Sequence, residues 1–205
     1  MKWGDKFHPG YVTKIIHEIK SKLKVQNKIY LYTDNADGLE RYVDIIPIEN
    51  FPYNFNRRVN LFRKGFGKGY SIVCDLDMKI IKDFSYLLNE QKGITVIPSH
   101  WKKFEDYRFV HTEEHGYRTT INGSITFWRA EDPMVHEIYN HFMSNPEYYS
   151  EKYWGAIDRF VEWENLYYNT FPNEIAFSHV LGPHDDNEYC VELFNRGAYQ
   201  KTLEG

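Results

Sequence analysis

The sequence predicts an α/β fold with a mainly parallel central sheet flanked by helices. Segments with strand patterns alternate with segments of helical periodicity along the chain, which is typical of this class. Residues 70–76 form a nearly continuous apolar run that ends in acids. This pattern is typical of a buried central strand whose C-terminal end opens onto a binding site. The length of 205 residues suits one domain with its own core, so we expect a single domain over residues 1–205.

The elements follow from periodicity and turn residues. The first helix is predicted over residues 11–24, where Val12, Ile15, Ile16 and Ile19 recur at three- and four-residue steps. We predict further helices over residues 57–64, 80–89, 134–143 and 153–164. We predict strands over residues 28–33, 43–48, 70–76, 94–98, 124–128 and 175–180. The long polar segment 101–118 is expected to be a loop over a cleft.

The composition excludes several classes of protein. With 18% aromatic residues the chain can build a core, so wholesale disorder is excluded. Its apolar runs are too short for a transmembrane helix, and residues 1–10 lack the apolar core of a signal peptide. Cys74 and Cys190 are too few for a disulfide framework, so we expect reduced thiols in the cytoplasm. The net charge of −4 argues against a dedicated nucleic-acid binder.

Two acids at the end of the predicted central strand are the first candidate site. Asp75 and Asp77 are two residues apart, directly after the apolar run. Carboxylates at this spacing can both reach one divalent cation, and hard oxygen ligands suit Mg²⁺ or Mn²⁺. The alternative is a solvated turn after a strand, which the acid pair taken alone fits equally well.

The surroundings of these acids resemble a known family. The stretch IVCDLDMKIIKDFSYLL closely resembles the D-x-D region of nucleotide-sugar glycosyltransferases with the GT-A fold. KWGDKFHPGYV, LYTDN, RVNLFR and INGSITFWR resemble, in order, further elements of bacterial and phage members. HVLGPH resembles the His-x-x-Gly-Pro element of the glycogenin-like and lipopolysaccharide galactosyltransferase-like enzymes.

This resemblance implies a metal site and a donor site. Asp77 and His179 would bind Mn²⁺ or Mg²⁺ directly, while Asp75 would touch the ribose and also reach the metal. The other implied cofactor-binding residues are Arg58, Thr33, Asp34, Trp3, Gly182 and His184. We expect a nucleotide-binding half at about residues 1–90 and an acceptor-side half at about residues 91–205.

Two residues are expected to act at the sugar. By resemblance, Asn122 would line the donor-sugar and acceptor side. Residues 153–158 fall where the family carries an Asp/Gln-rich element under the sugar, although the Gln position is Ile157 here. By the same resemblance, Asp158 is the candidate carboxylate near the anomeric carbon, with Glu162 one helical turn later. The alternative is that both acids are solvated helix residues. The His-x-x-Gly-Pro element favours retention at the anomeric carbon, because the enzymes that share it are retaining.

The expected function is therefore a metal-dependent transfer of sugar from a nucleotide sugar, with UDP as the nucleotide by resemblance. The acceptor is a saccharide or, as an alternative, a modified base in DNA. A DNA-acting enzyme would use a basic strip of Lys14, Lys20, Lys22, Lys24, Lys102 and Lys103. Further alternatives are a non-catalytic nucleotide-sugar binder and a nucleotidyltransferase. Family members begin with an apolar strand before the Lys-Trp-Gly element, and we expect this strand to be missing or reduced here.

Overall fold

The computed structural model describes residues 4, 6–24, 28–36, 38–48, 56–102, 119–153, 156–179, 188–194 and 201. Within these residues the helices are α1 (Pro9–Lys22), α2 (Pro133–Ser144), α3 (Pro146–Lys152) and α4 (Ile157–Trp163). The strands are β1 (Tyr30–Thr33), β2 (Asp44–Pro47), β3 (Tyr70–Cys74), β4 (Met78–Ile80), β5 (Ile94–Pro98), β6 (Ile121–Arg129), β7 (Tyr168–Thr170), β8 (Ala176–Ser178) and β9 (Val191–Leu193). None of the helices in this part of the chain is long and apolar enough to cross a membrane.

The chain divides into two compact units, each built from separate stretches of sequence. The first unit comprises Met1–Glu49, Cys74–Leu88 and Asn173–Gly205, and the second comprises Asn50–Val73 and Asn89–Pro172. One passage between the units falls at the end of β3, directly before the predicted acidic pair.

Helix α1 and the parallel pair β1–β2 build much of the core of the first unit. The His8 imidazole caps the helix by accepting a hydrogen bond from the Gly10 backbone N–H at 3.2 Å, and Pro9 occupies the first turn. The helix therefore begins two residues before the predicted start. Its apolar face packs into a buried cluster of Tyr11, Val12, Ile15, Ile16, Leu31, Leu39, Val43 and Leu76.

A three-stranded sheet completes the first unit, in the order β4-β9-β8. Strand β9 is central, antiparallel to β4 and parallel to β8. Val191 and Leu193 on β9 are buried, whereas Glu192 between them is not fully buried, so the strand alternates as a one-sided sheet requires. The Lys22 ammonium of α1 donates to the Ile80 carbonyl and ties the helix to the outer strand of this sheet.

The second unit is built on a four-stranded sheet in the order β3-β6-β5-β7. Strand β5 is antiparallel to β6 and parallel to β7. The register of β6 slips against β5: Val96 lies opposite Thr126, but the next residue, Ile97, lies opposite Asn122. Residues 123–125 are therefore extra in β6 and form a bulge, a feature that re-aims the side chains around it.

Helices α2, α3 and α4 enclose an aromatic cluster in the second unit. Phe142, Tyr149, Tyr153 and Phe160 contribute rings whose centroids lie 5.1 Å (Tyr149–Phe160), 5.5 Å (Phe142–Phe160) and 6.4 Å (Tyr149–Tyr153) apart. Phe142 and Phe160 are fully buried. This cluster fixes the three short helices against one another.

Glu164, just after α4, contacts three polar groups at the edge of this aromatic cluster. One of its oxygens accepts hydrogen bonds from the Tyr153 hydroxyl and, at 2.9 Å, from the Lys152 ammonium. Its other oxygen lies 3.0 Å from His141 Nε2. Burial alone would raise the pKa of Glu164, but hydrogen bonds from Tyr153, Lys152 and His141 outweigh it and lower the pKa.

The predicted α/β class is confirmed, and the sheets are mixed. Among the strand pairs with a described register, β1–β2, β5–β7 and β8–β9 are parallel, while β4–β9 and β5–β6 are antiparallel. Predicted strand 94–98 is observed with the same bounds, as β5. Predicted helix 11–24 and predicted strands 28–33, 43–48, 70–76, 124–128 and 175–180 correspond to observed elements with shifted ends. Strands β7 and β9 and helix α3 were not predicted.

The helix predicted over residues 80–89 is wrong. Met78–Ile80 is a strand paired with β9, and only a short 3₁₀ turn forms at Ser85–Leu87. The Asp83 carboxylate accepts hydrogen bonds from the Ser85 backbone N–H at 3.0 Å and from its hydroxyl at 2.6 Å. Such local side-chain bonds stabilise a turn in place of a helix. The segment predicted as helix 57–64 likewise forms a 3₁₀ helix, Asn56–Phe62.

Candidate functional site

The predicted acidic pair lies in the short connection between β3 and β4. Asp75 follows the last residue of β3, and Asp77 precedes the first residue of β4. Leu76 between them is buried, and its carbonyl accepts a hydrogen bond from the Tyr11 hydroxyl at 2.5 Å. The turn that carries both carboxylates is thereby held against helix α1. The Asp77 side chain is only 10% exposed, while Asp75 is half-buried.

Asp77 and His179 flank one residue that follows strand β9. The β4–β9 and β8–β9 ladders both run to Leu193. The next residue, Phe194, donates its backbone N–H to the Asp77 carbonyl at 2.9 Å. Its ring stacks on that of His179, with centroids 4.3 Å apart. Asp77 and His179 are thus the residues next to the ends of these two ladders, and each contacts Phe194.

The imidazole of His179 is restrained on its edge and on its face. Its Nδ1 lies 2.6 Å from Oε1 of Glu192, and the ring planes of His179 and Phe194 are inclined by 23°. The other carboxylate oxygen of Glu192 lies 3.7 Å from the Lys79 ammonium. These contacts leave Nε2 as the ring nitrogen that Glu192 does not engage.

A lysine stands beside the candidate ligand Asp77. The Lys6 ammonium is 3.9 Å from Asp77 Oδ2 and 4.7 Å from the centroid of the Phe7 ring. The lysine side chain is half-exposed, so the pair contributes little to stability. Its position does place a positive charge where the sequence predicts a metal ion.

The three predicted metal ligands are not gathered around one point. Within the described part of the chain, no three His, Cys, Asp or Glu side chains group closely enough to hold a metal ion. Asp77 and His179 instead stand on the two sides of Phe194, and Asp75 is two residues before Asp77.

The end of strand β1 carries two of the predicted donor-side residues. Thr33 is buried, and its hydroxyl donates to the Asn35 carbonyl at 2.9 Å and accepts from the Asn35 N–H at 3.2 Å, so it shapes the turn after the strand. The Asp34 carboxylate accepts from the Gly4 backbone N–H at 3.0 and 3.1 Å, which ties the start of the chain to this turn. Trp3, Gly182 and His184 lie outside the described residues.

Arg58 and Asn122 meet at the β6 bulge of the second unit. The buried Arg58 guanidinium donates to the Gly123 carbonyl. A Cβ on Gly123 would lie 3.1 Å from both Arg58 Nη1 and Ile157 Cγ2, so glycine permits this close approach. The side-chain oxygen of Asn122 accepts from the Ser124 N–H at 2.8 Å. The bulge therefore holds both predicted residues in fixed positions.

Asp158 and Glu162 differ in their surroundings. Asp158 lies in the first turn of α4, half-buried, and its Oδ2 is 3.5 Å from the Thr119 hydroxyl, at the limit of a hydrogen bond. Glu162 accepts from the Thr120 N–H at 2.9 Å and also from the Thr120 hydroxyl. Glu162 is thus engaged in anchoring the segment before β6, while Asp158 Oδ1 accepts from the Arg159 backbone N–H at 3.1 Å.

Lys6 and Glu192 are neighbours of the candidate ligands that sequence reasoning missed. Lys6 lies in the KWGDKFHPGYV stretch, but the family resemblance assigns no role to it, and Glu192 lies outside every quoted stretch. The alternation of buried Val191 and Leu193 around Glu192 is a strand signal, but three residues are too few to predict a strand reliably.

Comparison with known proteins finds similarity in structure and none in sequence. No protein-family model and no curated protein sequence matches the chain. Among solved structures, the chain is similar to the galactosyltransferase LgtC, solved in complex with donor and acceptor sugar analogs. The TM-score is 0.60 at 10% sequence identity, and the match covers 94% of this chain and 85% of that chain. The chain therefore has the α/β fold of a GT-A glycosyltransferase domain.

Proposed function

We propose that the protein is a metal-dependent glycosyltransferase that uses a nucleoside-diphosphate sugar, with UDP as the nucleotide. The observation that carries the proposal is the placement of Asp77 and His179 on either side of Phe194, in a chain with this fold. The structural relative was solved with donor and acceptor sugar analogs, which supports the same two ligand classes here.

The chemistry of the candidate ligands fits a hard divalent cation. Carboxylate oxygens from Asp75 and Asp77 with an imidazole nitrogen from His179 suit Mn²⁺ or Mg²⁺. The Lys6 ammonium at 3.9 Å from Asp77 Oδ2 supports this assignment, because a cation already lies beside this carboxylate. When bound, the ion would neutralise the charge that develops on the diphosphate leaving group.

The remaining residues of the proposed site act by binding and orientation. Asp75 would also contact the ribose, and Asn122 and Asp158 would act at the transferred sugar, with retention at the anomeric carbon. The Asn122 side-chain oxygen is held by the Ser124 N–H, so the direction of its amide group is fixed. The proposed donor contacts are Arg58, Thr33, Asp34, Trp3, Gly182 and His184.

Hydrolysis of nucleotide sugars in the presence of Mn²⁺ tests this function. We expect Mn²⁺-dependent turnover of a UDP-sugar by the full chain, and a rise in Tm with UDP plus Mn²⁺. Asp77→Asn should abolish both, because it removes the charged ligand. Asp44→Asn is the matched control, since Asp44 is an exposed acid on β2, and should leave both intact. Absence of turnover for every nucleotide sugar, together with no Tm shift, would refute the proposal.

Among the described residues no observation favours the DNA-modifying alternative, and Lys103 of its predicted basic strip lies outside them. In the predicted basic strip, the Lys20 ammonium donates to the Tyr42 carbonyl at 2.9 Å and the Lys22 ammonium donates to the Ile80 carbonyl. Both charges are therefore used inside the first unit. A salt-dependent gel shift with DNA would overturn this reading, since phosphate contacts weaken steeply with salt.

A further inference from the structure

We propose that Glu192 is a positioning residue that holds His179 in the tautomer and orientation needed to bind the metal through Nε2. The inference rests on the proposed function, because it assigns His179 as a ligand. It adds a residue that neither the D-x-D nor the His-x-x-Gly-Pro resemblance assigns.

The hydrogen bond fixes which nitrogen of His179 carries the proton. An ionised carboxylate only accepts hydrogen bonds, so the 2.6 Å contact with Glu192 Oε1 requires a proton on Nδ1. In the neutral imidazole this leaves Nε2 with its lone pair available. Nε2 is then the nitrogen that can coordinate a cation, and a carboxylate on the opposite nitrogen increases its basicity.

The stack on Phe194 fixes the plane of the same ring. The ring centroids lie 4.3 Å apart and the planes are inclined by 23°. An in-plane hydrogen bond and a face contact together leave the imidazole little rotational freedom. Phe194 also donates its backbone N–H to Asp77, so one residue supports the His179 ring and contacts the backbone of the other candidate ligand.

Glu192 itself is held in place on the central strand. Its side chain is 13% exposed, and its second oxygen lies 3.7 Å from the Lys79 ammonium on β4. The carboxylate thus bridges the two outer strands, with His179 at the end of β8 and Lys79 on β4. A group with both oxygens engaged orients its partner more precisely than a mobile surface acid does.

The competing interpretation is that the contact between Glu192 and His179 only joins two strands. Nitrogen NMR of the His179 imidazole in the metal-free chain distinguishes this interpretation from the positioning role. The His179 signals are identified as those that disappear in His179→Gln. At a pH where the imidazole is neutral, we expect the Nδ1–H tautomer in the wild type. We expect Glu192→Leu to shift His179 toward the Nε2–H form. A wild-type chain in the Nε2–H form overturns the proposal without any variant having to fold.

Binding of Mn²⁺ alone, measured by calorimetry, gives the second readout. Loss of the orienting carboxylate typically costs about 10- to 100-fold in metal affinity, and we expect that loss for Glu192→Leu. Glu188→Leu is the control: Glu188 is exposed just before β9, and its replacement should leave Mn²⁺ affinity unchanged. Glu192→Gln, whose carbonyl can still accept from Nδ1, should restore part of the affinity. Equal affinity in the wild type and Glu192→Leu overturns the proposal.

The two readouts also separate this inference from the proposed function. A wild-type chain that binds Mn²⁺ but holds His179 as the Nε2–H tautomer refutes the role of Glu192 and leaves the metal site standing. A chain that shows the Nδ1–H tautomer but binds no Mn²⁺ supports the orientation by Glu192 and refutes the metal-dependent function.

Discussion

The carboxylate of Glu164 joins helices α2, α3 and α4, and its removal should destabilise the second unit. Glu164→Ala removes the carboxylate that accepts hydrogen bonds from the hydroxyl of buried Tyr153 and from the Lys152 ammonium, and that contacts His141. Loss of a hydrogen bond from a buried hydroxyl to a charged acceptor costs about 1–3 kcal/mol. Lys152 and His141 are partly exposed, so each of their contacts adds only about 0.5 kcal/mol.

The expected loss is about 2–4 kcal/mol, or a fall in Tm of roughly 5–15 °C for a chain of this size. Thermal unfolding followed by circular dichroism measures it. Glu137→Ala is the control, because Glu137 is exposed on α2, and should change stability by less than about 0.5 kcal/mol. A Tm for Glu164→Ala that matches that of Glu137→Ala would refute the reasoning.

The stabilising contribution of the Glu164 carboxylate also has a defined pH dependence, which the isosteric variant Glu164→Gln isolates. The pKa of Glu164 is lower in the folded chain than its usual value of 4.5, so the folded state favours the ionised form. Its stabilising contribution is therefore complete above the unfolded pKa and is lost as the pH falls through the lowered folded pKa. The Tm difference between the wild type and Glu164→Gln should be constant from about pH 6 to 8 and should narrow below about pH 4.5. A difference that stays constant to pH 3 would contradict this assignment.

Two further substitutions test the close contacts of the candidate site. Gly123→Ala places a Cβ 3.1 Å from Arg58 Nη1 and Ile157 Cγ2, and we expect a loss of about 1–3 kcal/mol in the free energy of unfolding, measured with denaturant. An unchanged free energy of unfolding would mean that the Arg58 and Ile157 side chains move aside at no cost. Lys6→Met removes the ammonium 3.9 Å from Asp77, and we expect Mn²⁺ affinity to rise by up to about fivefold, since such a pair in water is worth about 1 kcal/mol. Weaker Mn²⁺ binding in calorimetry would show that Lys6 does not compete with the ion.

Elements with a strong local signal could be predicted from sequence. Helix α1 has an apolar face over four turns, and β5 is an apolar run between turn residues, so each is found within a few residues of its predicted place. The helix predicted over residues 80–89 failed because Ile80 and Ile81 with Leu87 and Leu88 satisfy a helical spacing by chance. Pairing of Met78–Ile80 with β9, more than a hundred residues later, decides the structure there, and no local pattern contains that partner.

Some residues of the candidate site could also be predicted from local sequence, and others could not. The acidic pair Asp75 and Asp77 is visible in sequence because both acids follow one apolar strand. The neighbours of these ligands cannot be seen in local sequence, because the fold brings them together from separate stretches of the chain. Glu192 contacts His179, and Lys6 contacts Asp77. Likewise, the role of Gly123 depends on Arg58 packing against the β6 bulge, a contact between residues 65 positions apart.

The first unit is built from three separate stretches of the chain, so its sheet can be completed only late in synthesis. Strand β9 is central in its sheet and follows every other described strand in sequence. Asp75 and Asp77 are synthesised more than a hundred residues before β9, the strand that lies between β4 and β8. Until residues 191–194 emerge, β4 and β8 have no common neighbour, and the candidate metal ligands remain on separate edges. A nascent chain arrested before residue 190 should therefore lack Mn²⁺ binding, even though all the predicted ligands have already been made.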